Sequence, residues 1–223
     1  MTMAIVAGAL FIADAFLHIV FIARRKEALR CVTKGLLMPL LAVTFILFWT
    51  LLRTGPLPWL ALGGMLAGCA GDISLFDHHH PVGMPLGLAF FSVGHVLYIV
   101  QIYRLMAPPV WWLIAAVVIV YGTGAVMTYK KIEPYMPKVM RIPALFYMLL
   151  LCTLSASAAA AALTSFHVGA FVLLAGTLLF LLSDTILSFE VFRGETQNSN
   201  IKIMAPYIAA QAIIAAGFFL WMA

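Results

Sequence analysis

Charge is what this sequence has least of: Asp, Glu, Lys and Arg make up 9% of its 223 residues. A soluble domain carries roughly 25%, so no water-facing surface can close around this chain. A hydrophobic content of 65% makes lipid the surrounding solvent instead. Cysteine is nearly as scarce. Cys31, Cys69 and Cys152 are odd in number, far apart and without metal-ligand spacing, which argues against a disulfide framework and leaves them as small apolar packing residues. No basic run is interleaved with aromatics, so the net charge of +5 is read as setting membrane orientation, and nucleic-acid binding is set aside. The first apolar stretch has no basic segment before it and no small-residue cleavage motif. It is expected to be a retained span rather than a signal peptide.

What the chain has in quantity is long apolar runs. Windows of about 19 apolar residues predict an all-α membrane protein of eight spans, near 4–22, 35–52, 57–77, 84–104, 108–127, 142–163, 167–192 and 201–222. Turn-rich or polar segments separate them, among them Gly55-Pro56-Leu57-Pro58, His80-Pro81, Pro108-Pro109 and Gly194 to Asn200. The join near 163–168 has no such punctuation. No linker is long enough to mark a second domain, so residues 1–223 read as one transmembrane bundle.

The basic residues then fall unevenly. Arg24, Arg25, Lys26, Arg30 and Lys34 follow span 1, Lys130, Lys131, Lys138 and Arg141 follow span 5, and Arg193 and Lys202 flank the loop after span 7. These eleven share one side, against Arg53 and Arg104 on the other. The positive-inside rule therefore places both termini outside the cytoplasm. Short loops and the lack of a targeting segment suggest a bacterial inner membrane. Leu62-Gly63-Gly64 through Gly71-Asp72 is similar to Leu174-Ala175-Gly176 through Ser183-Asp184, and the same register sets His95 against Tyr207. That match raises two parallel four-helix repeats as an architecture.

Ionisable residues inside a span cost ~2.5–3.5 kcal/mol each on insertion scales and mark function or a buried partner. Asp14 and His18 lie on span 1, Asp72 and Asp77 on span 3, His95 on span 4 and Asp184 on span 7, with Tyr98, Tyr207 and Gln211 adding polar groups and Lys34 opening span 2. Asp72 falls about five residues, ~7 Å, from the inner end of its span. Asp184, Tyr207, Gln211 and the Lys34 stem reach comparable depths, which predicts a polar cavity toward the cytoplasmic leaflet. Each residue also has a plainer reading: carboxylates held by neighbouring helices, His95 and Tyr98 one turn apart as helix–helix hydrogen bonds, Lys34 snorkelling to the interface. Asp14 and His18 share one helical face and can satisfy each other. Asp77-His78-His79-His80 reads as a solvated turn rather than a metal site, because consecutive histidines point in different directions. Gly64, Gly68 and Gly71, like Ser155 to Ala158, read as close-packing faces.

Gly71-Asp72, Gly94-His95 with Tyr98, Ser183-Asp184, and Tyr207 with Gln211 resemble, in order and spacing, the YhhN family of lysoplasmalogenases. Thr33-Lys34 with Pro39 is similar to the family's opening motif, and Pro143 and Tyr147 resemble its sixth helix. The resemblance covers about residues 33 to 215 and leaves out Asp14, His18 and the histidine run. It implies hydrolysis of the vinyl ether bond of a lysoplasmalogen, a lysophospholipid, to a fatty aldehyde and a glycerophospho-alcohol. Asp72 and Asp184 would be the catalytic carboxylates and Lys34, His95, Tyr98, Tyr207 and Gln211 the substrate-binding set, with no metal and no organic cofactor. The chemistry suits such residues: a carboxylic acid protonates the alkene carbon, and a carboxylate stabilises the oxocarbenium-like cation and activates water. Three other readings stay open. They are a small-molecule or proton-coupled transporter using the intramembrane Asp and His residues, a zinc hydrolase using His78 to His80 with Asp72 and His18, and a lipid-binding scaffold.

Overall fold

The computed structural model describes residues 1–76, 82–108, 111–194 and 196–222. Among these, eight α-helices account for nearly all of the backbone: α1 (Thr2–Ala23), α2 (Glu27–Leu52), α3 (Trp59–Ser74), α4 (Gly83–Leu105), α5 (Trp111–Ile132), α6 (Lys138–Ser165), α7 (Val168–Arg193) and α8 (Ser199–Trp221). A single 3-10 turn, Glu133–Tyr135, links α5 to α6. Within lipid a helix satisfies all its backbone groups internally, which is why an apolar chain resolves into this one element type.

Seven of the helices are long and apolar enough to cross a membrane. The exception is α3. Its predicted span of 57–77 shrinks to 16 residues, or ~24 Å of helix against a hydrocarbon core of ~30 Å. Proline accounts for the late start, since Pro56 and Pro58 hold the chain extended until Pro58 caps the helix. Elsewhere the helices overrun the predicted spans. α2 begins at Glu27 and α6 at Lys138, so Arg30, Lys34, Lys138 and Arg141 are helical rather than loop residues. The unpunctuated join near 163–168 is a real break. Phe166 takes a left-handed conformation (φ 48°) and the His167 side chain accepts from the Gly169 amide at 3.1 Å as N-cap.

The chain divides into two compact units, the first running to Leu97 and the second from Tyr98 to Met222. In the first, α1 packs on α2 and α2 on α3. Glycines bring α3 and α4 together as their spacing predicts: a Cβ on Gly94 would stand 3.1 Å from the Gly64 carbonyl oxygen, and one on Gly71 would strike the Phe91 ring at 2.7 Å. Trp49 Nε1 donates to the Gly55 carbonyl at 3.2 Å and pins the α2–α3 loop.

In the second unit α7 and α8 form the most extensive pair, α6 covers α7, and α5 lies against α6 and α7. Small residues again set the separation. A Cβ on Gly217 would lie 2.6 Å from the Leu173 backbone nitrogen, so α7 and α8 approach backbone to backbone, as small-residue interfaces in lipid do. The buried run from Ser155 to Ala162 on α6 serves the same purpose. Charge gathers at the ends of these helices. Arg141 pairs with Glu133 at 2.6 Å, Arg193 lies over Tyr135 and Phe189, and the Glu190 carboxylate caps Thr196, which in turn accepts from Lys202 at 2.9 Å.

Candidate functional site

In the first unit the polar residues of the membrane segments gather along α1, α2 and α3. Asp72 is 3% exposed, and Lys34 Nζ stands 3.9 Å from its Oδ1. Lys34 therefore does not snorkel outward. Its ammonium turns inward, where it also lies 5.9 Å from the centre of the Phe76 ring. Asp72 is two residues from the end of α3, ~3 Å along the axis. That is nearer the helix end than its predicted span implied, because α3 stops early. His95, on α4, is 2% exposed.

A second polar group in this unit lies on α1. His18 Nδ1 and Thr33 Oγ1 are 2.8 Å apart. The threonine hydroxyl also reaches the carbonyls of Leu29 and Arg30, at 2.9 and 3.1 Å. Which atom donates in the His18–Thr33 contact follows the ring's tautomer, and in either case the contact holds the ring by Nδ1 against α2. Asp14 and His18 are both buried, and Asp14 Oδ2 and His18 Nε2 have no hydrogen-bond partner among the described residues. The sequence suggestion that the two satisfy each other is not what the geometry shows, because the histidine turns its Nδ1 toward α2.

In the second unit Asp184 is buried on α7 and accepts from the Tyr147 hydroxyl of α6 at its Oδ2. Its neighbour Ser183 donates to the Ile203 carbonyl of α8 at 2.9 Å, which locks the α7 turn bearing the carboxylate to the facing helix. Tyr207 packs edge-on against Phe180, with centroids 5.6 Å apart. Asp184 is nine residues from the end of α7 and Tyr207 eight from the start of α8, which puts both about 12–14 Å from those ends. Deeper, the Tyr98 hydroxyl donates to Gln211 Oε1 at 3.4 Å, and the Tyr98 ring packs 5.4 Å from Phe218.

Five of the seven predicted residues thus fall into three groupings: Lys34 with Asp72, Tyr98 with Gln211, and Asp184 with Tyr147, which was not among the seven. Tyr147 was visible in the sequence only through the family resemblance, since a tyrosine amid apolar helix residues is ordinary. Thr33 was hidden likewise, its hydroxyl indistinguishable in the sequence from the many that bond back to their own helix. Among the described residues no group of three or more His, Cys, Asp or Glu side chains stands ready to hold a metal. Asp77 and His78 to His80 lie outside the described residues.

Searches of the curated proteins and of the solved structures find no match to this chain. The model of the YhhN family, by contrast, matches residues 29–218, leaving outside it all of α1 with Asp14 and His18. A match over that much of the chain establishes that this is a multi-pass membrane protein belonging to the YhhN family.

Proposed function

We propose that this protein is a membrane hydrolase that cleaves the vinyl ether bond of a lysoplasmalogen, releasing a fatty aldehyde and a glycerophospho-alcohol. The observation that carries the reading is a pair of buried aspartates, each held by a partner: Asp72 by the charge of the Lys34 ammonium and Asp184 by the Tyr147 hydroxyl, which donates to it. Two carboxyl groups retained in membrane segments at this cost suit a reaction that needs one acid and one base.

The reaction runs through three steps. A carboxylic acid gives its proton to the alkene carbon remote from the ether oxygen, and the double-bond electrons form that C–H bond. The carbon attached to oxygen becomes an oxocarbenium-like cation, which a carboxylate stabilises. The carboxylate then takes a proton from water as the water oxygen bonds to that carbon. The resulting hemiacetal gives its hydroxyl proton to the first carboxylate as the aldehyde C=O forms, the C–O bond to glycerol breaks, and the glycerol oxygen takes the proton held by the second. Asp72 and Asp184 supply the acid and the base. Lys34 and the arginines near it attract the substrate phosphate, and His95, Tyr98, Tyr207 and Gln211 orient water and the glycerol oxygens. The net charge distribution supports an orientation with both termini outside the cytoplasm and the site served from the cytoplasmic leaflet of a bacterial inner membrane.

The test is aldehyde release from a lysoplasmalogen by the purified protein in detergent. Loss of release in both Asp72→Asn and Asp184→Asn, with folding intact, is the expected result. Wild-type rates in either variant overturn the mechanism. A second reading, a proton-coupled transporter, draws support from Asp14 and His18, buried with polar atoms that no described residue pairs, as in intramembrane proton relays. Proton-dependent uptake into liposomes without product would favour it.

A further inference from the structure

The second unit contains a cavity of about 310 Å³ between α5, α6 and α7, at the lower end of the size range of small-ligand pockets. We propose that it is the groove in which the hydrocarbon chain of the lipid substrate lies. The proposal rests on the hydrolase reading above and adds where the chain goes and which residues limit its length.

The lining is sorted by depth. On α7 the wall runs from Leu178 through Leu181 to Thr185, seven residues or ~10 Å, about a third of the ~30 Å hydrocarbon core. The hydroxyls of Thr185 and Thr128 sit at one end, and leucine, valine and the α6 residue Cys152 make up much of the remainder. The threonine end adjoins the candidate chemistry. Thr185 follows Asp184 in sequence, and Met148, on the α6 wall, follows Tyr147, so the Tyr147–Asp184 hydrogen bond joins the same two helices at the same level. The far end is stopped by a second polar contact, the Tyr121 hydroxyl with Ser155 Oγ at 2.9 Å, which Thr177 joins from α7 at 3.4 Å. An apolar trough that starts one residue along α7 from a buried carboxylate, with Val120 and Leu178 of its wall largely exposed to the surrounding lipid, fits an extended alkyl chain entering from the bilayer. A polar solute would find nothing in its middle to bond.

The floor on the α5 side owes its depth to the absence of side chains. Gly124 lines the cavity, and a Cβ built there meets nothing within 4 Å. Gly122, one half-turn earlier, is equally open to a Cβ but is not part of the lining. The pair provides a matched test, because leucine at either position gains the same helix propensity and meets the same lack of obstruction, and only one of them fills the groove.

The experiment uses the purified full-length protein in nanodiscs and a lysophospholipid whose chain is joined by a non-hydrolysable alkyl ether and carries a diazirine at its terminal carbon. After photolysis, the labelled residues are mapped by mass spectrometry. We expect label on the α5, α6 and α7 walls of the cavity, suppressed by excess unlabelled alkenyl lysophospholipid. Gly124→Leu should lower that labelling about tenfold, a loss comparable to excluding two or so buried methylenes, and shift aldehyde release toward shorter chains. Gly122→Leu should match wild type in both. Label elsewhere, label that competitor does not suppress (bulk lipid merely filling a surface recess), or equal effects of the two leucines would overturn the proposal. Labelling needs no turnover, so groove labelling without aldehyde release would sink the hydrolase reading and leave the groove standing as a lipid site. Aldehyde release with label elsewhere would do the reverse.

Discussion

The Tyr147 hydroxyl donates to Oδ2 of Asp184 between α6 and α7, and both residues are 7% exposed. A phenol has one proton to give, and here it is spent on a carboxylate that the membrane would otherwise expel. The bond fixes the rotamer of Asp184 and ties together the two helices whose outer faces form the apolar groove.

Removing that hydroxyl while keeping the ring isolates its contribution. Tyr147→Phe should lower stability by about 1–3 kcal/mol, the cost of taking one donor from a buried acceptor, and reduce aldehyde release more than it reduces lipid binding. Thermal unfolding in detergent and turnover, measured on the same preparation, check both parts. An unchanged rate would remove Tyr147 from the chemistry.

Lys34 and Asp72 are buried together at 3.9 Å, with side-chain exposures of 13% and 4%. Breaking such a pair from one side leaves a buried charge and typically costs ~3–5 kcal/mol. Lys34→Met should therefore destabilise strongly, and Lys34→Met with Asp72→Leu should be more stable than Lys34→Met alone. A double-mutant cycle by denaturant unfolding measures the coupling. Additive effects would mean that the two charges do not interact.

The His18–Thr33 contact predicts a similar asymmetry without charge. Thr33→Val removes the hydroxyl partner of the ring Nδ1 and should cost about 1–3 kcal/mol, whereas replacing both residues by apolar ones of similar shape should recover much of that. His18 lies outside the matched family region and Thr33 within it, so His18→Leu alone is expected to cost hydrolysis no more than reduced folded protein explains. Unfolding midpoints and specific activity per folded protein separate the two effects.

Packing between α7 and α8 is limited by backbone, not by side chains that can move aside. A methyl group on Gly217 would sit 2.6 Å from Leu173 N and 2.7 Å from its Cα, so Gly217→Ala should lower stability by ~1–3 kcal/mol through overpacking. Gly122→Ala meets open space and should be neutral or stabilising by up to about 1 kcal/mol through helix propensity. Thermal unfolding of the two variants side by side tests the contrast.

By itself the sequence determined the solvent, the element type and most of the helix boundaries, because each follows from local composition: apolar runs of span length must be helical in lipid, and proline and glycine mark where they stop. It also marked Asp72, Asp184 and Lys34, since an ionisable group in an apolar run stands out by its cost alone. Only the tertiary structure decided what those residues touch. Whether Lys34 reached the interface or turned to Asp72, whether His18 faced Asp14 or Thr33, and which phenol served Asp184 all depend on the rotation and separation of neighbouring helices. Those are set by packing between residues far apart in the chain, and no local pattern carries that information.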